Sequence, residues 1–449
     1  MALFGCASSR SFSPDPLASY NPDAVANGAV RDFNVIYRQM GLASGGTTVS
    51  FVGNYAFFAL PKVDSTLAML SLSIPNRGLT FVQDSVGYEA RYSVELLAKQ
   101  DSLVVARVVT DESVRVTTFK ETNRTDESIV YQHPLSLQPG RYMFVYHVRD
   151  LQGTHEASAE IPVVVPVVGL GVLSTPVVVY EGTPRRDLTQ VPSYLSAPRA
   201  SAVFGTDSVV TVYLEVRQAE PSDVSVRLQS VNSGKVVWVD TVHFGATRGI
   251  ASQLVSIPLQ RADVGLFRVI AQRVGSTDST IAPLFVGFGS NLPVISFTEM
   301  VDYLRFFASS SRVGTLRSAP QEMRGAMWAA FLREADQQRG TSHNEALRDY
   351  FARIMEANQL FRLDAVPGWL SDRGAVFVGL GEPDGAYEQQ AYSNGYGGTL
   401  PGQYRYLVWE YRDLQARIVF IDEFNSGQWH LLPSSVSYFR SIISRIAVQ

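Results

Sequence analysis

The chain has 449 residues, 46% of them hydrophobic and 18% charged, which fits a folded globular protein of roughly three domains. A net charge of −4, with Arg and Lys scattered along the chain, leaves no electrostatic footprint for nucleic acid. The single cysteine, Cys6, excludes an internal disulfide and a multi-cysteine metal site.

At the start, Leu3-Phe4-Gly5-Cys6 looks like the cleavage box of a bacterial lipoprotein signal, where the cysteine is acylated. The charged and apolar regions that a secretory signal needs do not precede it, which points to a late start assignment or a trimmed chain. Ala7 to Pro16 is rich in Ser and Pro and reads as a tether. Residues 1–30 are therefore expected to be a lipoprotein-like leader and flexible tether, with Cys6 as the lipidation site. No apolar run approaches the ~20 residues of a membrane span. Any membrane contact is expected through the N-terminal lipid alone, at the outer membrane.

A short helix is expected between Val30 and Gly45, after which the period becomes two. A strand opens at Val49/Phe51, and Leu70-Ser71-Leu72-Ser73-Ile74 and Tyr92-Ser93-Val94-Glu95-Leu96 alternate. Leu103 to Val109, Val114 to Phe119 and Tyr142 to Val148 follow, with Pro162 to Pro166 as last strand and linker. Many short strands at this spacing argue a β-sandwich over residues 31–167. A second sandwich is expected over 168–290, from Val210/Val212/Leu214/Val216, Val224/Val226/Leu228, Val236 to Val239 and Gly265 to Ala271. Leu135 to Val145 and Ile257 to Phe267 share a pattern of alternating strand, Gly turn and aromatic strand, which suggests tandem modules of similar kind.

The period changes again at Asn291, with a boundary expected at Gly289–Pro293. Met300, Tyr303, Leu304 and Phe307 recur at helical spacing. Ser318-Ala319-Pro320 starts a helix whose stripe is Met323, Met327, Trp328, Phe331 and Leu332. Ser342-His343-Asn344-Glu345 reads as a capping box opening a helix that buries Leu347, Tyr350, Phe351 and Ile354. Ala375 to Leu380 reads as a strand, and Gly385 to Gln403 as a long polar loop. Tyr406 to Tyr411, Ile418 to Ile421 and Gln428 to Leu431 read as three further strands.

The run from Pro367 to Asp384 mixes what no core needs: Gly368-Trp369-Leu370-Ser371-Asp372-Arg373-Gly374, an apolar stretch, then Gly381-Glu382-Pro383-Asp384. It resembles the signature of the GWxTD-domain family of bacterial envelope proteins, with Ser371 where the family has Thr. The tail, with Tyr406, Trp409, Tyr411, Phe420, Asp422 and Gly427, is also similar to that family. The resemblance covers about the last third and implies an α+β domain over 291–449 and an envelope location. It implies no reaction, because the family's activity is uncharacterised. The fold class is thus expected to be multidomain, two tandem all-β immunoglobulin-like sandwiches followed by an α+β domain.

Five acids, Asp372, Glu382, Asp384, Asp422 and Glu423, fall at expected strand ends or turns. Paired carboxylates could run acid–base hydrolysis or hold a cation. Turn chemistry explains them more simply, Pro383-Asp384-Gly385 being a turn by composition. Trp369 with Arg373 could stack on a sugar or peptide, yet such a Trp is usually a core anchor. Tyr387, Tyr392, Tyr396 and Tyr404 among Gly, Ser, Asn and Gln have the composition of an adaptable binding surface. None of the histidines has zinc-ligand spacing. The phosphate-loop and Gly-x-Ser-x-Gly patterns are absent, and no Lys follows Lys235. No cofactor, metal or nucleotide is expected. The function expected is a non-enzymatic envelope structural or interaction protein with a protein or glycan partner. The alternative is an envelope hydrolase using the carboxylates around the signature.

Overall fold

A computed structural model describes residues 33–449 except 47, 63, 124–127, 246–248, 289–293, 295, 343, 362–366, 394–401 and 425. The expected features at residues 1–30, Cys6 among them, at Gly289–Pro293 and at His343 lie outside the described residues. The chain divides into two compact units, 1–295 and 296–449. It is mostly β-sheet, with helices concentrated in the second unit.

The first unit begins with helix α1 (Phe33–Gln39), followed by strands β1 (Ala43–Gly45), β2 (Phe51–Ala59), β3 (Thr66–Pro75), β4 (Val82–Gln83), β5 (Tyr88–Gln100) and β6 (Leu103–Val116). A one-turn helix α2 (Phe119–Thr122), closed by a capping box from Thr118 and Glu121, leads to β7 (Ser128–Leu137), β8 (Gly140–Asp150) and β9 (Glu156–Val165). Then come β10 (Val177–Thr183), β11 (Ser193–Ser196), β12 (Ser201–Val203), β13 (Val209–Arg217), β14 (Ser222–Ser230), β15 (Val236–Phe244), β16 (Ile250–Pro258), β17 (Gly265–Arg273) and β18 (Ser279–Gly287).

The strands form four sheets. One is β1-β2-β3-β7, and the next carries β4-β5-β8-β9 with β6 paired to β5. The others are β11-β10-β13-β16 and β12-β18-β17-β14-β15. The order β2-β3-β7 recurs as β10-β13-β16, and β6-β5-β8-β9 recurs as β15-β14-β17-β18. The two β regions therefore share one topology. All described strand pairings in this unit are antiparallel except β12 with β18.

Alternation places one face of each strand in a core. Leu70, Leu72 and Ile74 of β3 pack with Val94 and Leu96 of β5 and with Phe144 and Tyr146 of β8. The opposite face of β2 and β3 is covered as well. Ala56, Phe58, Leu67 and Met69 pack against Val177, Val179, Tyr194 and Tyr213. All ten residues of β3 are consequently buried, including Ser71 and Ser73. A buried ion pair lies among these β regions: Arg185 Nη2 meets Glu215 Oε2 at 2.7 Å, both side chains 1% exposed. Tyr213 Oη donates to Glu215 Oε1 at 2.6 Å. Arg185 Nη2 also donates to the Ala59 carbonyl at the end of β2, 3.0 Å away.

One expectation fails in this unit. Val109 and Val114 do not belong to separate strands, because β6 runs unbroken through Asp111 and Glu112. Neither Gly nor Pro interrupts it, and β5 supplies a ladder partner to every residue from Ala106 to Val116. The exposed face takes Asp111 at no cost in burial.

The second unit has α3 (Phe297–Tyr303) with a 3₁₀ turn Leu304–Phe306, α4 (Ser310–Arg317), α5 (Gln321–Arg339) and α6 (Glu345–Leu360). A 3₁₀ turn Gly368–Leu370 leads to α7 (Asp372–Leu380). Strands β19 (Gly385–Ser393), β20 (Gly402–Tyr411), β21 (Ala416–Asp422) and β22 (His430–Leu431) form one antiparallel sheet in that order, and α8 (Pro433–Ile446) ends the chain. Leu347, Tyr350, Phe351 and Ile354 are buried, as their spacing predicts.

Four readings of the sequence are corrected here. Ala375 to Leu380 is the body of helix α7, because Ser371 caps its first turn and the run is too short for periodicity to separate a strand from a buried helix. Within Gly385 to Gln403 the described residues are strand: Gly385–Ser393 pairs with Gly402–Tyr411, with Glu388, Gln389 and Gln390 exposed, while Tyr396 lies outside the described residues. The expected capping box is not the N-cap. Asn344 occupies that position in the left-handed region (φ 58°), and its backbone N–H donates to Asp336 Oδ2 at 2.9 Å. Met323 is exposed, outside the stripe that buries Trp328, Phe331 and Leu332.

Removing one member of the buried pair leaves the other charged and unpaired. Glu215→Ala is expected to destabilise the first unit by about 3–5 kcal/mol. A urea titration followed by far-UV circular dichroism measures the loss, and a change within error of zero would contradict the structural role.

Candidate functional site

The signature residues begin at a contact between main chains. A Cβ on Gly368 would sit 2.1 Å from the Ala357 carbonyl oxygen of α6, and one on Gly374 would sit 1.9 Å from the Gly368 carbonyl oxygen. Only hydrogen fits at either place, so α6, the 3₁₀ turn and α7 stack backbone on backbone. Trp369, 6% exposed, is pinned between them. Its backbone N–H donates to Asn358 Oδ1 at 3.2 Å. Its ring lies 4.9 Å from Tyr303 and 6.4 Å from Phe306, with the Arg305 guanidinium 4.9 Å from the ring centre. Val376 and Val378, which read as part of a strand in the sequence, are on α7.

Ser371 is the N-cap of α7. Its Oγ accepts from the Gly374 N–H at 3.1 Å and donates to the Gly368 carbonyl at 2.7 Å. A hydroxyl is what this position needs, which explains why Ser serves where the family has Thr. Asp372 follows at the positive end of the helix, and its Oδ2 accepts from the Leu431 N–H of β22 at 2.7 Å, with His430 Nδ1 3.6 Å away. Arg373 lies over the Phe361 ring at 5.2 Å rather than on an acid. Burial lowers its pKa from the ordinary value, with Glu388 acting the other way. At the far end of α7, Arg353 Nε donates to the Val378 carbonyl and Tyr411 Oη to that of Gly381, satisfying terminal acceptors.

The remaining acids are not brought together with one another. Asp384 Oδ2 accepts from the Arg412 N–H at 2.7 Å. Asp422, with its side chain fully buried, accepts from the N–H groups of Ser426 at 3.0 Å and Gly427 at 2.9 Å, with Arg405 Nη1 at 3.6 Å. Burial alone would raise its pKa. The N–H groups of Gly427, Ser426 and Phe424, with the Arg405 charge, outweigh that and hold it below the ordinary carboxylate value. Arg412 and Arg405, the partners of Asp384 and Asp422, are seven residues apart along β20 and beyond, or about 23 Å of extended chain. Glu382 and Glu423 are exposed. Pro383 is half-buried in the turn, and Trp409 packs on Phe361 and Phe420 at 5.9 and 4.9 Å. Among the described residues no group of three or more His, Cys, Asp or Glu side chains is placed to hold a metal ion.

Sequence reasoning missed Arg405, which meets Glu388 at 2.7 Å, Asp422, and the Trp429 ring at 5.2 Å. It also missed α8, although Pro433 at the first turn and the apolar spacing of Val436, Phe439 and Ile442 signalled it. Ser435 of that helix accepts from the Val419 N–H at 3.0 Å.

Four of the five tryptophans, Trp328, Trp369, Trp409 and Trp429, lie in the second unit, so tryptophan fluorescence follows its unfolding. Trp369→Ala is expected to cost about 3–5 kcal/mol. Gly374→Ala is expected to cost about 1–3 kcal/mol by overpacking, although Ala is the better helix former. A variant Gly374→Ala as stable as wild type would refute the backbone contact. Because the folded pKa of Asp422 is depressed, its contribution is present above the unfolded pKa and is lost as pH falls through the folded value. Asp422→Asn should therefore melt lower than wild type at neutral pH, and the gap should close on acidification. Melting curves taken across the carboxylate range test this, and a gap that widens with acid would contradict it.

No curated protein matches the chain. The match to a known family begins before the second unit, just ahead of β18, and ends just past β19, short of Trp409 and Asp422. Over residues 276–395, which hold the Gly368-to-Asp384 run and the helices that seat it, the chain carries a GWxTD domain.

Proposed function

We propose that this protein is a non-enzymatic structural or interaction protein of the cell envelope, which presents its GWxTD domain to a protein or glycan partner. One observation carries the reading. The signature side chains are engaged within their own domain: Trp369 in an aromatic cage, Ser371 in a helix cap, and Asp372, Asp384 and Asp422 on main-chain N–H groups. A catalytic carboxylate must reach a substrate; these reach backbone. Strand β19 offers an outward surface, where Glu388, Gln389 and Gln390 are exposed. We read the paired antiparallel sheets of the first unit as two immunoglobulin-like sandwiches, on the strength of their repeated strand order. Among the described residues no helix is long and apolar enough to cross a membrane. The solitary Cys6 after Leu3-Phe4-Gly5 supports a lipid anchor at the outer membrane.

The test is complementation of a deletion strain with full-length variants. Glu382→Gln combined with Asp384→Asn should restore the wild-type phenotype, whereas a hydrolase working through these acids would be inactivated. Cys6→Ser should move the protein from the membrane to the soluble fraction. Equal solubility of wild type and Cys6→Ser would refute the anchor.

A further inference from the structure

The outer side of β6 is a long edge without a described strand partner. β6 bonds β5 along its length, and among the described residues no strand pairs its other side. It has 14 residues, against nine for β15, which holds the same place in the second β region. Edge strands are ordinarily blunted by charged side chains, lysine above all, by proline, by bulges or by short length. Between Leu103 and Val116 there is no Lys or Pro, and the charges are Arg107, Asp111, Glu112 and Arg115. A bulge at Val105 is confined to one end and leaves Ala106 to Val116 regular. Leu103 and Val109 are 68% and 54% exposed.

Charge selects what such an edge can accept. Arg107, Val109, Asp111, Ser113 and Arg115 share the exposed face, and Arg115 is already paired with Asp84 and Glu89 of its own chain. An antiparallel copy of the same strand, related by a two-fold axis through Val109, sets Arg107 opposite Asp111 twice and Val109 against itself. Moving the axis by one residue leaves both charges facing uncharged side chains. Moving it by two opposes Arg107 to Arg107, or Asp111 to Asp111. The favoured register lies near the middle of the strand and pairs the regular residues Ala106 to Glu112 of one copy with the same residues of the other. On the same face a ladder of polar side chains already crosses the sheet: Arg107 meets Glu95 at 2.7 Å, Glu95 meets His147 at 3.5 Å, and His147 meets Glu156 at 3.4 Å. Asp111 takes no part in it, and Arg107 of a second copy would extend the ladder to it. The equivalent strand β15 has Asp240 but no Arg or Lys.

We infer that β6 is a homodimerisation edge, at which two copies of this chain pair antiparallel about Val109 and join their sheets into one. Main-chain hydrogen bonds supply the attraction, and the two Arg107–Asp111 contacts fix the register.

Sedimentation equilibrium of the full-length protein over a wide concentration range is the test. A monomer–dimer equilibrium is expected. Arg107→Asp or Asp111→Arg alone should raise its dissociation constant about tenfold or more, since each places like charges opposite one another twice. The double variant R107D/D111R should return it to within about threefold of wild type. All three positions are exposed, and melting curves confirm that each variant folds. As an independent readout, Val109→Cys in a Cys6→Ser background should give an intermolecular disulfide on mild oxidation, because facing Cα atoms of an antiparallel pair lie about 4.5–5.5 Å apart. A chain that stays monomeric overturns the inference and leaves the edge to a strand from another protein. A dimer that the single reversals do not weaken, or that the double variant does not restore, overturns it as well.

Discussion

The second unit depends on a contact that contains no side chain. Gly368 lies against the Ala357 carbonyl, and Gly374 against the carbonyl of Gly368. The turn thereby lies main chain against main chain with one helix on each side, with no room for a Cβ at either place. Everything distinctive about the neighbourhood follows from that distance. Trp369 cannot swing away, because the residues before and after it are fixed on both sides. Its indole becomes the floor on which Tyr303, Phe306 and Arg305 assemble. Helix α7 is held at a set height, so Asp372 at its first position reaches the Leu431 N–H. That bond ties the helical layer to the edge of the sheet. The spacing of Gly, Trp, hydroxyl, acid and second Gly is a description of this joint.

The carboxylates show how an acid can be needed without being reactive. Asp422 is taken out of water, which disfavours its charge, and is given two amide hydrogens and a nearby guanidinium, which favour it. The favourable contributions win, so the group stays ionised and fully engaged. Its work is to close the turn between β21 and β22, the same strand that Asp372 holds from the other side. Asp384 does the equivalent for the start of β19, through Arg412. Each acid replaces a missing main-chain partner at a place where strand or helix geometry ends. Strand ends are where N–H groups lose their ladder partners, so acids collect there for structural reasons as readily as for chemical ones.

Much of this fold was legible in the sequence, and the failures have a common cause. Leu347, Tyr350, Phe351 and Ile354 were readable because a 3.6-residue period over several turns has no competing explanation. Ala375 to Leu380 was not. Six apolar residues suit a buried strand and a buried helix equally, and the decision lay outside them, in the cap at Ser371 and the backbone contact at Gly374. The polar stretch after Gly385 misled in the opposite sense, since a ribbon exposed on both faces has no alternation to read. Partners such as Arg405, far along the chain from Glu388 and adjacent to nothing that names it, leave no local trace. The buried pair of Arg185 and Glu215 is of the same kind.

The faint internal similarity between Leu135–Val145 and Ile257–Phe267 proves informative once the sheets are known. Each segment is the place where the chain leaves one sheet for another. β7 lies in the sheet with β3 and is followed by β8 in the sheet with β5. β16 lies with β13 and is followed by β17 in the sheet with β14. An alternating strand must end, turn within a few residues, and begin again with large side chains facing a new core. That requirement selects apolar–polar alternation, then a small or rigid turn, then aromatics such as Tyr142 and Phe144 or Phe267. The rest of each β region is free to drift, because any apolar residue on the inner face suffices. The two regions resemble each other in sequence where the crossing between sheets allows the fewest solutions. They differ in length at the outer strands, where β6 has 14 residues and β15 nine.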